Sequence, residues 1–199
     1  MTSEPQNESR VLLVGLGNPG RQYRHNRHNI GFMLMDLLAE KYNISLNRVQ
    51  NKAIVGSGQI ANRPVILVKP QTYMNLSGMA VGPLLKFYKL ASTDLLVGYD
   101  ELDLPLGTLR LRAEGGPAGH NGMRSIIEQL GPNFPRLRLG IGRPAGQMPP
   151  AAYVLQDFDR TEQTIVTRLL AEGLKAVETF LESGIVLAMS KHNGNYGEG

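Results

Sequence analysis

The chain has 199 residues, 42% of which are hydrophobic, and a formal net charge of +4. Its length suits a single domain with a substantial core, and no apolar run reaches the roughly 18 residues that a membrane helix needs. Because the chain contains no cysteine, the sequence excludes disulfides, thiolate metal sites and a cysteine nucleophile, and we expect a cytoplasmic protein.

Apolar periodicity predicts alternating strands and helices in the first half of the chain. Residues 1–9 are polar and aperiodic, so we expect a disordered N-terminal arm without the apolar segment of a secretory signal. A buried strand is predicted over residues 11–14, and spacing typical of an amphipathic helix covers residues 30–42. Two apolar runs, residues 53–60 and 64–70, predict a β-hairpin.

The second half of the chain continues this alternation and ends in a long helix. Its predicted elements are a helix over 79–88, a buried strand over 94–100, a strand over 108–112, a helix over 123–130, a strand over 136–142, a helix over 161–182 and a shorter helix after Gly184. The polar residues 194–199 predict a flexible tail. We therefore expect one α/β domain over residues 10–193, a three-layer sandwich whose mixed, mostly parallel central sheet is flanked by helices.

The first predicted strand is followed by glycines in the spacing of a dinucleotide-binding fingerprint. Gly15, Gly17 and Gly20 fit G-x-G-x-x-G, which lets a backbone approach a pyrophosphate. Pro19 and Gly20, however, predict a turn where such a site needs a helix to begin. Glu40 lies at the distance expected for a ribose-binding residue, but within a predicted helix. The sequence thus disfavours a dinucleotide site, and the glycines need another explanation.

Arginines alternate with leucines along two predicted strands. Because successive side chains of a strand point to opposite faces, Arg110 and Arg112 share one face. Arg136 and Arg138 share a face of the second strand in the same way. Guanidinium groups bind phosphate through forked hydrogen bonds, so the pattern indicates either a phosphate-binding surface or a solvated strand face. The pattern alone slightly favours the solvated face.

The candidates for chemistry are histidine and amide side chains in predicted loops. The chain has no G-x-S-x-G elbow, P-loop or H-E-x-x-H motif, which excludes the common nucleophilic, phosphate-loop and zinc signatures. Asn18, Asn75 and Asn121 each suit turn formation, but together they suggest a site that grips a peptide backbone. Asp100 could hold the ring of His28 in one tautomer, the arrangement of a histidine general base that acts on water.

Six motifs occur along the chain in the order found in one known family. They are V-G-L-G-N-P-G-x-x-Y, R-H-N-I-G, K-P-Q-T-Y-M-N-L-S-G, D-E-L-D-L-P-L-G, G-H-N-G-M-R-S-I and R-L-R-L-G-I-G-R-P. On these motifs the chain resembles bacterial peptidyl-tRNA hydrolases from Val11 to about Asn193. The resemblance explains the glycines as part of an active-site loop.

The resemblance implies a hydrolase that cleaves the ester between a peptide and the terminal ribose of tRNA. It implies peptidyl-tRNA as the partner, a monomeric state and no cofactor or metal. The alternative is a noncatalytic RNA-binding module on the same fold, since a fold alone does not fix a function. A binder would not need a base and its carboxylate, so the complete residue set favours the hydrolase.

The resemblance also implies a role for each residue that matches a motif. His28 corresponds to the catalytic base, in a register that favours it over the neighbouring His25, and Asp100 corresponds to the group that supports the base. Asn18 corresponds to the catalytic-site residue that separates N-blocked from free aminoacyl substrates. The positions implied to contact the peptidyl end are Tyr23, Tyr73, Met74, Asn75, His120 and Asn121, and those implied to contact tRNA phosphate are Arg110, Arg112 and Arg138. This last implication reverses the preference for a solvated strand face.

One loop departs from the family pattern. The family has a glycine-rich run before G-H-N-G, whereas residues 114–119 of this chain are E-G-G-P-A-G. Pro117 fixes its own φ, and Ala118 disfavours positive φ. We therefore expect a stiffer or differently shaped loop.

Overall fold

A mixed sheet of eight strands forms the middle layer of the fold in the computed structural model, which describes residues 10–197. In chain order the strands are β1 (Val11–Gly15), β2 (Arg48–Gln50), β3 (Ala53–Ile60), β4 (Arg63–Pro70), β5 (Leu95–Glu101), β6 (Thr108–Arg112), β7 (Arg136–Gly140) and β8 (Gly194–Asn195). Their order in space is β2-β3-β4-β1-β5-β7-β6-β8.

The four central strands of the sheet are parallel. β1 pairs in parallel with β4 and with β5, and β5 pairs in parallel with β7. The outer pairs, β2 with β3, β3 with β4, β6 with β7 and β6 with β8, are antiparallel. Because parallel strands end at the same edge of a sheet, the loops that follow the four central strands meet at that edge, where open α/β folds bind ligands.

Helices cover both faces of the sheet. They are α1 (Ile30–Lys41), α2 (Gly78–Phe87), α3 (Asn121–Leu130), α4 (Pro150–Tyr153) and α5 (Gln163–His192). α1 and α5 enclose one core, which includes Leu34 and Val177, and α2 and α3 enclose the other, which includes Leu84 and Ile126. The predicted α/β sandwich with a mixed sheet is thereby confirmed, with parallel pairing confined to the centre.

Three short elements are absent from the sequence prediction. β2, β8 and α4 have no more than four residues each, too few to show a period. Gly194–Asn195 pairs with Thr108–Leu109 at the sheet edge, so the prediction of a flexible tail from residue 194 is wrong for these two residues. The predicted arm over residues 1–9 lies outside the described residues.

The last helix breaks once, at the residue after which the sequence predicts a new helix. Gly184 has φ 82° and ψ 175°, a conformation that glycine adopts readily because it has no Cβ. α5 therefore consists of two helical segments. Neither it nor another helix within residues 10–197 has the length and apolar character needed to cross a membrane.

A close contact between glycines seats the start of α1 on the ends of β1 and β5. A Cβ on Gly31 would lie 2.4 Å from the carbonyl oxygen of Gly98 and 2.5 Å from the backbone nitrogen of Leu16. A Cβ on Gly15 would lie 2.0 Å from the carbonyl oxygen of Gly31. Since the obstacles are backbone atoms, no side chain fits, and the turn before α1 is held against the strand ends.

We expect Gly31→Ala to lower the free energy of unfolding by about 3 kcal/mol or more, because overpacking against backbone cannot relax by a rotamer change. Chemical denaturation measures this loss. Gly173→Ala in α5 is the matched control: its Cβ would meet the nearest atom, Leu34 Cδ1, at 3.4 Å, and alanine favours a helix by about 1 kcal/mol over glycine. Equal stability of Gly31→Ala and wild type would contradict the close-packing argument.

Candidate active site

Two histidines meet one carboxylate at the C-terminal edge of the parallel strands. His28 lies on a 3-10 turn, Arg27–Asn29, directly before α1. Asp100 is the penultimate residue of β5, and His120 is the N-cap residue of α3. Because β1 and β5 are adjacent and parallel, the segment that follows β1 reaches the end of β5.

Asp100 accepts hydrogen bonds from both imidazoles. His28 Nδ1 is 2.8 Å from Oδ1 and 2.9 Å from Oδ2 of Asp100, and His120 Nε2 is 2.9 Å from Oδ1. His120 Nδ1 accepts from the backbone N–H of Met123 at 3.3 Å, so the hydrogen of a neutral His120 is on Nε2. In the matching tautomer of His28 the hydrogen is on Nδ1, which leaves the lone pair of Nε2 free to take a proton.

His28 and Asp100 shift each other's pKa. Burial disfavours the charged form of His28, but the charge and hydrogen bond of Asp100 outweigh burial and raise the pKa of His28 above its ordinary value of 6.5. Burial alone would raise the pKa of Asp100, but His28 and His120 outweigh it and hold the pKa of Asp100 well below its usual range. Asp100, whose side chain is only 2% exposed, is thus a buried anion balanced by two imidazoles.

The histidines line a cleft of about 340 Å³. His28, Asp100, His120 and Asn121 form one part of its lining, and α4 with Val154 forms another. Asn121 is exposed, whereas His120 is buried. The cleft therefore gives a ligand access to the candidate base and to one of the predicted amides.

Asn18 joins the glycine loop to two neighbouring loops. Its Oδ1 accepts from the backbone N–H of Met74 at 2.9 Å. Its backbone N–H donates to Asn29 Oδ1 at 2.9 Å, and its carbonyl accepts from Asn29 Nδ2 at 3.0 Å. Within residues 10–197 the side-chain NH₂ of Asn18 has no partner, so it remains available to donate. The glycines shape this loop, and the next helical residues are a single 3-10 turn, Arg21–Tyr23, not the long helix of a dinucleotide site.

The predicted peptide-contacting residues do not all line one cavity. Tyr23 and Tyr73 line a cavity of about 430 Å³ next to Pro19. Met74 is buried, and the following Asn75 is exposed on the same 3-10 turn. The structure thus places Met74 against Asn18, His120 against Asp100, and the two tyrosines beside the glycine loop.

The predicted phosphate-binding arginines lie on one face of β6 and β7. Arg110 is opposite Arg138, and Arg112 is opposite Arg136, in the antiparallel register. Arg112 is exposed and Arg110 half-buried. Arg138 pairs with the buried Glu101 at 2.7 Å, and this carboxylate, against the effect of burial, raises the pKa of Arg138. The free positive charge of this surface therefore comes mainly from β6.

Arg136 differs from the other arginines on this face because it is buried. Its guanidinium donates to the carbonyl oxygen of Gly115 at 2.6 Å and to that of Pro132 at 2.7 Å. It thus anchors the loop of residues 114–119, and the sequence interpretation of Arg136 as part of a solvated or phosphate-binding face is wrong.

Ala118 in this loop has φ 46°, a conformation that costs a residue with a Cβ about 1 kcal/mol. The stiffness of the loop stays a prediction.

The three residues of the cluster could also hold a metal ion. Ligand atoms of His28, Asp100 and His120 lie within 4.8 Å of one another, and histidine with carboxylate is a common donor set. In the arrangement described here each of these imidazole nitrogens instead hydrogen-bonds to Asp100, which satisfies the carboxylate without an ion.

Sequence reasoning missed two residues beside His28. Asn29 is buried and makes the paired hydrogen bonds to Asn18. Arg27 is buried and pairs with Glu162 at 2.7 Å. The available signal was the repeated R-H-N at residues 24–29. Its first copy contains the exposed His25, and its second copy contains His28, which lines the cleft.

Comparisons with known proteins agree on one family. The family described as peptidyl-tRNA hydrolase matches residues 12–198. A peptidyl-tRNA hydrolase of Chloroflexus aggregans is 49% identical over 184 residues, which are 92% of this chain and 98% of that protein. A chloroplastic peptidyl-tRNA hydrolase of Arabidopsis thaliana is 52% identical over 87% of this chain, and the match spans 61% of the longer Arabidopsis protein.

A solved structure supports the same relationship. The crystal structure of peptidyl-tRNA hydrolase from Acinetobacter baumannii has a TM-score of 0.89 and 40% identity, over 94% of this chain and 96% of that chain. Sequence and fold therefore match over almost the whole described length. The chain belongs to the peptidyl-tRNA hydrolase family.

Proposed function

We propose that the chain hydrolyses the ester bond of peptidyl-tRNA, releasing free tRNA and peptide, with His28 as the base that activates water. The observation that carries the proposal is the His28–Asp100 pair, because Asp100 occupies Nδ1 and leaves Nε2 beside the cleft. Membership of the peptidyl-tRNA hydrolase family supplies the substrate.

In the proposed reaction, Nε2 of His28 takes a proton from water as the water oxygen attacks the ester carbonyl carbon. The tetrahedral intermediate then collapses, the bond to the ribose oxygen breaks, and the imidazolium returns the proton to that oxygen. Asp100 stabilises the imidazolium in between. General base catalysis contributes about 10² to 10⁴ in rate, and an ester has a better leaving group than an amide, so no covalent intermediate is needed.

The side-chain amides supply the neutral contacts of the proposed site. Asn75 and Asn121 can donate to a peptide carbonyl and accept from a peptide N–H without selecting a side chain, and the NH₂ group of Asn18 can donate. Tyr23 and Tyr73 extend this surface, and the buried Met74 supports it by holding Asn18 Oδ1. A donor aimed at the developing oxyanion would contribute about 10² to 10³ in rate. Asn18 is our candidate for discriminating N-blocked substrates, because its free NH₂ group belongs to a residue held by hydrogen bonds to Asn29 and Met74.

The proposal also includes the setting in which the protein acts. We propose that it acts as a monomer, since the hydrogen bonds of His28, Asp100 and His120 complete the cluster without a residue from a second copy. We further propose a cytoplasmic location, which suits a tRNA substrate and a chain without cysteine. A noncatalytic RNA-binding function is less favoured, since binding alone would not require the His28–Asp100 pair.

We expect His28→Ala to reduce hydrolysis of N-acetyl-aminoacyl-tRNA by at least about 10²-fold, because the water loses its base, while tRNA affinity changes little. Release of the acetylated amino acid and a filter-binding titration measure the two effects. Unblocked aminoacyl-tRNA serves as the comparison substrate and should be cleaved far more slowly by the wild type. Retained turnover by His28→Ala would refute the assignment.

We expect activity to fall as the pH drops through the pKa of His28, because only the neutral imidazole accepts a proton. Asp100 raises this pKa, so the midpoint of the acidic limb in the kcat/KM profile of the wild type lies above the ordinary histidine pKa of about 6.5. Asp100→Asn removes the charge and leaves the burial, so the limb should shift to lower pH while the plateau rate falls. An unchanged limb in Asp100→Asn would show that Asp100 does not set the pKa of His28.

We expect Arg110→Ala combined with Arg112→Ala to weaken tRNA binding and flatten its salt dependence. Each lost phosphate contact should reduce the slope of log K against log [salt] by about 1. Lys86→Ala with Lys89→Ala removes the same charge from exposed positions at the end of α2 and is the control. Equal slopes for both double variants would show that Arg110 and Arg112 do not contact tRNA phosphate and belong to a solvated strand face.

A further inference from the structure

A buried cation lies directly before the candidate base and takes no part in the proposed reaction. The side chain of Arg27 is 6% exposed. Its guanidinium donates to both carboxylate oxygens of Glu162, at 2.8 and 2.7 Å. Its Cζ lies 4.4 Å from the ring centre of Tyr153 and 5.0 Å from that of Phe158. This forked pairing and stacking requires a planar guanidinium and cannot be reproduced by lysine.

The partners of Arg27 lie in residues 153–162, which run from the last residue of α4 to the N-cap of α5 and are called the α4–α5 segment. The same segment also binds the backbone of the turn. The N–H of His28 donates to the carbonyl of Val154 at 2.9 Å, and the N–H of Arg27 donates to that of Gln156 at 2.9 Å. The preceding Asn26 donates from Nδ2 to Asp157 Oδ1 at 2.6 Å. The segment and the turn are therefore joined by main-chain hydrogen bonds around one partly buried ion pair.

This segment is also part of the cleft. α4 and Val154 line the cavity that contains His28, and Val154 is the residue whose carbonyl holds the His28 backbone. A shift of the cleft wall would consequently move the main chain of His28 relative to Asp100. Glu162 is the N-cap residue of α5, so the ion pair connects the turn that carries His28 to the start of a long helix.

We propose that Arg27 is a positioning residue, whose ion pair with Glu162 holds the α4–α5 segment in the register that keeps His28 Nδ1 on Asp100. Arg27 acts through His28 and does not line the cleft, so its role in catalysis rests on the proposed function of His28. Misplacement of a catalytic group by about 1 Å can cost about 10²-fold in rate. Loss of the Arg27–Glu162 ion pair should therefore lower kcat more than it raises KM.

The test uses Arg27→Lys and Glu162→Gln in the full chain, with Lys175→Gln as the control. Lys175 forms an exposed ion pair with Glu172 on the same helix, so the control removes an ion pair away from the turn. Activity on N-acetyl-aminoacyl-tRNA gives kcat and KM, and an NMR titration of the His28 ring gives its pKa without any substrate. Circular dichroism checks that each variant is folded.

We expect Arg27→Lys and Glu162→Gln each to lose about tenfold or more in kcat, with KM changed less than about threefold. The pKa of His28 should fall in both variants, because a weaker contact with Asp100 leaves burial to dominate. Lys175→Gln should change neither. A merely structural role would lower stability without moving the pKa of His28 in the folded protein.

The proposal is overturned if folded Glu162→Gln keeps the wild-type kcat and His28 pKa, or if Lys175→Gln shows the same shifts. It is also overturned if neither Arg27→Lys nor Glu162→Gln folds, since the ion pair would then support the whole domain and not the turn. Absence of hydrolysis by the wild type would instead remove the proposed function, while the titration would still decide whether Arg27 positions His28.

Discussion

The site depends on a carboxylate that is removed from water and shared by two imidazoles. A buried anion is costly unless other polar groups replace its hydration, and Asp100 obtains hydrogen bonds from both His28 and His120. Neither ring can turn away without leaving part of that charge unsatisfied. The cost of burying Asp100 therefore holds His28 in the orientation that the proposed base requires before any substrate arrives, which is how a preorganised site differs from a flexible one.

The sheet makes this arrangement possible by bringing two strand ends together. Asp100 lies at the end of β5, which is adjacent and parallel to β1, so the segment after β1 needs only a short path to reach it. That path is narrow, because Gly31 contacts the backbones of Leu16 and Gly98. The contact that packs α1 against the sheet thus also fixes the distance between the preceding turn and the strand ends, and with it the position of His28.

Regular elements could be predicted from the sequence, whereas contacts between distant segments could not. Apolar periodicity located the longer strands and helices because burial on one face produces it directly. Alternation correctly put Arg136 and Arg138 on one face, but a period says nothing about what covers a face. Arg136 is satisfied by a loop and Arg138 by Glu101. Glu162, the partner of Arg27, lies in a different element with no local pattern that would mark it.

The pairing of β6 with β8 has a consequence for the nascent chain. Within residues 10–197, Thr108–Leu109 have Gly194–Asn195 as their outer partner, so this sheet edge stays open until the later residues have been synthesised. Open edges are templates on which other chains add strands, and charged side chains on such an edge discourage that addition. Arg110 and Arg112 place two such charges on β6, beside the residues that wait for β8.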